Sequence, residues 1–184
     1  MPWRHNQYGK TTINRHAMTH RELIDSKVVT VEKLTAIISE RKSIHPHLKI
    51  VFTNGCFDLV HRGHVHYLSK SRDLGDMLIV GINSDDSVRR LKGPQRPIAS
   101  QANRATVLAA FECVDYVVVF DEDTPINLIT SLCPDVLVKG KDYAKKDIVG
   151  ASFVESHGGR VETIELIEGE STTNFVNKMQ NAKQ

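Results

Sequence analysis

The sequence contains only three cysteines, Cys56, Cys113 and Cys133, which lie far apart and form no Cys-x-x-Cys pair. A disulfide framework or a zinc–cysteine site is therefore not expected, and this cysteine usage is typical of a reducing cytoplasm. No apolar run reaches the roughly 18–20 residues that a membrane span needs. The amino terminus also lacks the apolar stretch of a secretory signal. We therefore expect a cytoplasmic protein without a membrane partner.

Neither sign of charge dominates, since 24 basic residues face 22 acidic ones and the net charge is +2. The basic residues are scattered along the chain, so a nucleic-acid partner is not predicted. A chain of 184 residues has room for one domain with a full hydrophobic core. Residues 1–26 are polar and lack periodicity, and we predict a flexible N-terminal arm there, followed by a single domain over residues 27–184. The sequence leaves open whether the protein forms a homo-oligomer.

Five short apolar runs alternate with helix-like segments from Val28 onward. They are KIVFT, MLIVGIN, DYVVVF, DVLVKG and RVETIEL. Such uninterrupted runs are typical of parallel strands that are covered on both faces and joined by helical crossovers. The sequence therefore predicts an α/β fold with a Rossmann-like, doubly wound parallel sheet of five strands. The polar segment over residues 84–100, which contains one glycine and two prolines, is predicted to be mostly loop.

Two histidines, His61 and His64, follow the first predicted strand in the sequence HRGH and open a predicted helix. Residues three apart share a helix face, and Gly63 lets a ligand approach the backbone. The N–H groups of a first helical turn bind anions, and imidazole donors can strengthen that grip. The pattern predicts a phosphate site. The alternatives are a capping or core histidine, or a zinc site with His66 and Cys56, which lacks the usual zinc-ligand spacing.

A second candidate site lies near the carboxyl terminus, where Ser171, Thr172 and Thr173 open the last predicted helix. Serine and threonine are also the commonest N-caps, so capping alone is an alternative. Because parallel strands share their carboxyl edge, the two helix starts are expected to face each other across one polyphosphate. The absence of a GxxxxGK[ST] sequence excludes an ordinary P-loop enzyme.

The two motifs together, NGCFDLVHRGHVHYL and ESTTNF, resemble those of the cytidylyltransferase-like nucleotidyltransferases. Members of that family share GxFDxxHxGH and a late Ser-Thr-Thr helix start. The stretches NSDDSVRRLKG and LVKGKDY are similar to the sugar-phosphate branch, in particular to heptose 1-phosphate adenylyltransferases. The resemblance runs from about Val28 to Met179 and implies an HxGH-type fold.

This resemblance implies transfer of AMP from ATP to a sugar 1-phosphate, giving an ADP-sugar and pyrophosphate. The implied acceptor is D-glycero-D-manno-heptose 1-phosphate, and the implied pathway is ADP-heptose and surface-polysaccharide biosynthesis. ATP would be used with Mg²⁺, without a metal held by the protein itself.

The resemblance also implies roles for individual residues. His61, His64 and Lys92 would be catalytic, and Asp58 and Lys92 would contact the acceptor substrate. The residues expected to bind the nucleotide are Thr53, Asn54, Gly55, Phe57, Gly63, Arg104, Lys139, Gly140, Asp142, Ser171, Thr172 and Thr173.

Four of these assignments have alternatives. Lys92 could be a solvated loop lysine, and Arg104 an exposed helix arginine. Asp142 could be a turn residue, and Asp58 could order its loop or approach a metal.

Two positions depart from the family pattern. Leu166 replaces an arginine of the glycerol-phosphate cytidylyltransferases, which disfavours cytidylyl transfer. Lys141 replaces a second glycine that is usual in the heptose enzymes. The alternative functions are a cytidylyltransferase acting on a small alcohol phosphate such as glycerol 3-phosphate, or a non-catalytic ATP-binding regulator.

Overall fold

The sheet is the centre of the fold in the computed structural model, which describes residues 18–141, 147–167 and 172. Within these ranges five parallel strands pair in the order β3-β2-β1-β4-β5. They are β1 (Ile50–Gly55), β2 (Met77–Asn83), β3 (Tyr116–Phe120), β4 (Val136–Gly140) and β5 (Arg160–Ile164). Each strand coincides with one of the five apolar runs, and the predicted parallel α/β fold is confirmed.

Helices cover both faces of this sheet. They are α1 (His20–Asp25), α2 (Val31–Ile44), α3 (Arg62–Arg72), α4 (Asp85–Lys92), α5 (Gln101–Ala109), α6 (Ile126–Leu132) and α7 (Ala151–Ser156). One apolar cluster joins the sheet to α2, α6 and α7, and a second joins it to α3 and α5. Alternate residues of β1 supply the two clusters, Phe52 the first and Val51 the second. Among the described residues no helix could span a membrane.

The winding of the chain reverses at β1. From β1 the strands proceed outward to β2 and β3, and the chain then returns to place β4 on the other side of β1. In open parallel sheets ligands bind beyond the carboxyl ends of the strands at such a reversal. The ends of β1 and β4, Gly55 and Gly140, therefore mark the expected position of a site.

The loop predicted over residues 84–100 is wrong in its first half, because Asp85–Lys92 form α4. Ser84 caps this helix by accepting a hydrogen bond from the Ser87 N–H at 3.0 Å. Asp86 adds a negative charge to its first turn, and Gly93, with a φ of 95°, ends it. The eight residues of this helix include only two apolar side chains, Val88 and Leu91, so the segment lacks the repeated apolar spacing that marks a longer helix.

The amino-terminal end also differs from the prediction. Residues 20–25, which fall within the predicted arm, form α1. Thr19 and Glu22 form a capping box at the start of this helix. Ile24 packs against the apolar cluster beneath α3 and α5. Residues 1–17 of the predicted arm lie outside the described residues, as does the predicted last helix apart from Thr172.

Candidate active site

The turn between β1 and α3 is the structural base of the candidate site. Phe57 adopts a φ of 47°, in the left-handed region that a bulky side chain seldom occupies. Its buried ring packs 5.2 Å from the ring of His64, measured between centroids. A Cβ on Gly55 would lie 3.2 Å from the same ring. Glycine at the end of β1 therefore leaves the room that Phe57 needs to support His64.

His61 and His64 lie side by side at the start of α3, with ring centroids 4.0 Å apart. His61 is the N-cap, and its Nδ1 accepts a hydrogen bond from the Gly63 N–H at 3.1 Å. The N–H of His61 in turn donates to Nδ1 of His64 at 3.3 Å. Since each Nδ1 is an acceptor, the proton of each neutral ring lies on Nε2. The capping role of His61 is thus compatible with phosphate binding, because capping uses Nδ1 and leaves Nε2–H as the donor.

His64 is held in its neutral form. Burial of the ring, and then the neighbouring His61, lowers the pKa of His64 to about 4. At neutral pH its Nε2 therefore donates a hydrogen bond without a full positive charge.

Asp58 orders the loop over residues 96–99, which is one of the two roles considered for it. The buried carboxylate accepts hydrogen bonds from Arg96 Nε at 2.5 Å and from the N–H groups of Ile98 and Ala99 at 2.8 and 2.9 Å. Burial alone would raise the pKa of Asp58, but the two N–H groups and the Arg96 guanidinium together hold that pKa below its usual value. All these contacts occupy the carboxylate with the protein itself.

Arg104 is fully buried, so the alternative of an exposed helix arginine is wrong. Its three guanidinium nitrogens donate to the carbonyl of Ala99 at 3.0 Å, to the carbonyl of Cys56 at 2.7 Å and to Asp85 Oδ1 at 2.8 Å. Arg104 thereby ties α5 to the turn after β1 and to the first turn of α4. A direct contact with the nucleotide stays a prediction.

Several predicted nucleotide-binding residues meet where β1 lies beside β4. The Thr53 hydroxyl is buried and shares a 2.8 Å hydrogen bond with Tyr67. Because Tyr67 belongs to α3, this bond links β1 to that helix. Lys139 Nζ donates to the carbonyl of Asn54 at 3.3 Å. Gly140 ends β4, which places it beside this pair.

Lys92 is exposed at the end of α4, and it has no ion pair with a described residue. Burial raises the pKa of the Cys56 thiol, and the charges of Lys92, Arg104 and Arg96 oppose that rise. Lys92 therefore lies close enough to act electrostatically on the turn after β1. It belongs to a helix end rather than to a loop.

Thr172 connects the second motif with the first. Its hydroxyl donates to the carbonyl of Leu59, in the β1–α3 turn, at 3.3 Å. Ser171, Thr173 and Asp142 lie outside the described residues. The one described member of the Ser-Thr-Thr run is thus brought to the histidine turn, over 113 positions of sequence.

The described residues contain no group of three or more His, Cys, Asp or Glu side chains placed to hold a metal ion. Cys56, considered as a zinc ligand, directs its sulfur to Asn83 Oδ1 at 3.9 Å. The carboxylate of Asp58 is occupied by the 96–99 loop. This donor set fits a cation that arrives on phosphate oxygens better than one held by protein ligands alone.

Sequence reasoning missed the residues that hold the site together. Arg96, Asp85 and Tyr67 each contact a predicted site residue. Their partners lie between 14 and 38 positions away, and no periodic signal relates such positions.

The winding reverses at β1, two histidines open the helix beside it, and the Thr172 hydroxyl contacts the same turn. These features are typical of α/β domains that bind nucleotides at the carboxyl edge of the sheet. The profile of the family described as Cytidylyltransferase-like matches residues 52–180, and the chain belongs to this family. It is therefore a nucleotidyltransferase domain, and nucleotidyltransferases of this kind use a divalent metal with the nucleotide.

Curated relatives share about half of the residues. The chain is 53% identical over 177 residues to "Bifunctional protein HldE" of Syntrophotalea carbinolica, covering 93% of this chain and 36% of that protein. It is 55% identical over 155 residues to the protein of the same name from Geotalea uraniireducens, covering 84% and 31%. The chain thus spans about a third of the length of these relatives.

A solved structure is also similar to this chain. It is the lipopolysaccharide core biosynthesis protein from Thermoplasma volcanium, which is 26% identical, with a TM-score of 0.55. The match covers 67% of this chain and 99% of that one, so the likeness extends over that whole smaller protein.

Proposed function

We propose that this chain transfers AMP from ATP to a sugar 1-phosphate, D-glycero-D-manno-heptose 1-phosphate, releasing pyrophosphate and an ADP-sugar. The observation that supports this most is the histidine pair, whose Nδ1 atoms accept backbone N–H groups at 3.1 and 3.3 Å. The high identity to bifunctional HldE proteins and the likeness to a lipopolysaccharide core biosynthesis protein favour a heptose acceptor.

In this reaction a phosphate oxygen of the sugar 1-phosphate attacks the α-phosphorus of ATP. A new P–O bond forms as the bond from the α-phosphorus to the bridging oxygen breaks, and pyrophosphate leaves with that electron pair. The attacking phosphate is already an anion near pH 7, so no general base is required. The work of the protein is to bring two polyanions together and to stabilise the charge on the transferring group.

The proposed roles follow from the chemistry of each group. His61 and His64 hold the phosphate chain through Nε2–H and strengthen those hydrogen bonds in the transition state. Lys92 neutralises the incoming phosphate, since its ammonium is exposed near the turn after β1. Thr172, with Ser171 and Thr173, holds the β- and γ-phosphates.

The proposed divalent metal is Mg²⁺, bound by the phosphates of ATP. It would supply charge neutralisation on the leaving pyrophosphate. The chain's own contribution there is the set of donors at the start of α3.

The test is a pyrophosphate-release assay with ATP, Mg²⁺ and heptose 1-phosphate. We expect activity with this pair and a loss on the order of 10²–10³-fold in His64→Ala. His47→Ala, which changes an exposed histidine before β1, should retain full activity.

Two results would contradict the proposal. One is a preference for CTP with a small alcohol phosphate, and the other is ATP binding without turnover across a panel of sugar phosphates. Near-normal turnover in His64→Ala would leave the activity standing but remove the role of this histidine.

A further inference from the structure

Two buried side-chain polar atoms of the described residues have no hydrogen-bond partner, Arg41 Nε and Asn54 Oδ1. The Arg41 guanidinium donates to Tyr116 OH at 3.3 Å and lies over that ring. Because Tyr116 begins β3, Arg41 is at the amino edge of the sheet. Asn54 is the next-to-last residue of β1, at the carboxyl edge where ligands bind. Of these two unpaired atoms, only Oδ1 of Asn54 therefore lies at the edge of the sheet where a ligand would bind.

The position of Asn54 explains why its amide oxygen lacks a partner. Side chains alternate along a strand, so Asn54 shares the face of Phe52 rather than that of Thr53. Its register partner on β2 is Gly81, where a Cβ would lie 3.0 Å from the Phe52 ring and 3.1 Å from Leu128. Phe52 and Leu128, which pack around Gly81 on this face, are apolar and supply no donor. Lys139, which lies beside Asn54 on β4, directs its Nζ to the backbone carbonyl of Asn54 instead of the amide oxygen.

In Asn54 the missing hydrogen bond concerns the side-chain oxygen and not the backbone. The backbone carbonyl of Asn54 accepts a hydrogen bond from Lys139 Nζ. A buried acceptor without a partner destabilises a fold, and most such groups in native proteins are paired. An unmet acceptor at the carboxyl edge is what a site shows when a ligand supplies the partner.

The chemistry of an amide oxygen restricts that ligand group. It accepts hydrogen bonds and so needs a donor. The phosphates of ATP are acceptors at neutral pH and suit the Nε2–H groups of the histidines instead. The donors of ATP are the ribose hydroxyls and the amino group of adenine. We propose that Asn54 Oδ1 accepts a hydrogen bond from a donor of the nucleoside of bound ATP, an inference that rests on the proposed function.

The first test is Asn54→Leu, which keeps a similar volume and removes the amide. We expect the unliganded variant to unfold in urea at the same concentration as the wild type or a higher one. Its affinity for Mg–ATP, measured by isothermal titration calorimetry, should fall about tenfold. Asn54→Ala, with the same expected loss of affinity, serves if the leucine variant does not fold. Asn127→Leu, at an exposed asparagine of α6, should leave the affinity unchanged.

The second test identifies the donor with 2′-deoxy-ATP, 3′-deoxy-ATP and purine riboside triphosphate, which lacks the amino group. The wild type should bind the analogue without the relevant donor about tenfold more weakly than ATP. Asn54→Leu should bind that analogue and ATP equally well, since the coupled partner is already gone.

Three outcomes would overturn the inference. The first is a variant that loses stability but binds ATP as the wild type does, which would make Asn54 structural and leave the proposed function intact. The second is that the wild type and Asn54→Leu bind each analogue more weakly than ATP by the same factor. The third is a wild-type protein that binds no ATP, which would overturn the proposed function as well.

Discussion

The histidine pair shows how the backbone of one turn sets the chemistry of two side chains. His61 and His64 each accept a backbone N–H at Nδ1, so the donor of each neutral ring is fixed on Nε2 without an aspartate behind it. A buried carboxylate behind the ring would raise its pKa, whereas burial, and then the neighbouring His61, lower the pKa of His64. The site is therefore suited to hydrogen bonding with phosphate and poorly suited to proton transfer near pH 7.

The lowered pKa of His64 predicts a loss of stability in acid. Unfolded, this histidine takes up a proton near its ordinary pKa of 6.5, but folded it does so only near a pKa of about 4. Between these values the unfolded state binds more protons, so the contribution to stability is complete above pH 6.5 and is lost as the pH falls toward 4. From pH 7.5 to pH 5.0 the wild type should lose about 1–2 kcal/mol more unfolding free energy than His64→Gln.

Urea denaturation at the two pH values measures this difference. His47→Gln, at an exposed histidine, is the matched control and should lose as much stability as the wild type. An identical pH response in wild type and His64→Gln would show that His64 is not held neutral by burial.

The sequence predicted the types of residue in the site better than their contacts. HRGH and the Ser-Thr-Thr run are local patterns, and their position after predicted strands of a parallel sheet was enough to expect them at one edge. The burial of Arg104 could not be predicted in this way, because its partners Cys56, Ala99 and Asp85 belong to three separate segments. A contact between segments leaves no trace in the spacing of a single sequence.

Elements were predictable where burial imposes a pattern. β2 is buried at every one of its seven residues, and such a strand can only appear as a continuous apolar run. α4 buries only Ser87 and Val88, and its mostly polar sequence favours a loop. Its signals were instead Ser84 before two aspartates and Gly93 after the last turn, a cap at each end.

The loop over residues 96–99 should depend on Asp58. Asp58→Asn keeps the size of the side chain but removes the charge that faces Arg96, whose side chain is 21% exposed against 1% for Asp58. We expect the unfolding free energy to fall by about 2–4 kcal/mol, because the partly buried Arg96 guanidinium loses its carboxylate and faces an amide NH2, which is itself a donor. The amide oxygen can still accept from the N–H groups of Ile98 and Ala99. Urea denaturation at pH 7 measures the change.

An exposed ion pair of the same chemistry provides the control for Asp58. Arg21 and Asp25 pair at 2.8 Å in α1, with side chains 70% and 51% exposed. Asp25→Asn should leave the urea midpoint nearly unchanged, because an exposed ion pair contributes little to stability. Equal losses in the two variants would mean that Asp58 contributes no more than a surface charge.

At the scale of the whole molecule, the prediction concerns whether the divalent metal arrives with ATP or is held by the protein. Because the described residues include no cluster able to hold a cation, chelation with EDTA should leave the urea midpoint of the unliganded protein unchanged. ATP at about 100 times its dissociation constant should add about 2.7 kcal/mol to the unfolding free energy. EDTA should reduce that gain if Mg²⁺ reaches the site on the triphosphate, and restored Mg²⁺ should recover it. A fall in the stability of the unliganded protein on chelation would instead show that the protein itself binds a cation. The hypothesis that Mg²⁺ arrives on the triphosphate would then be wrong.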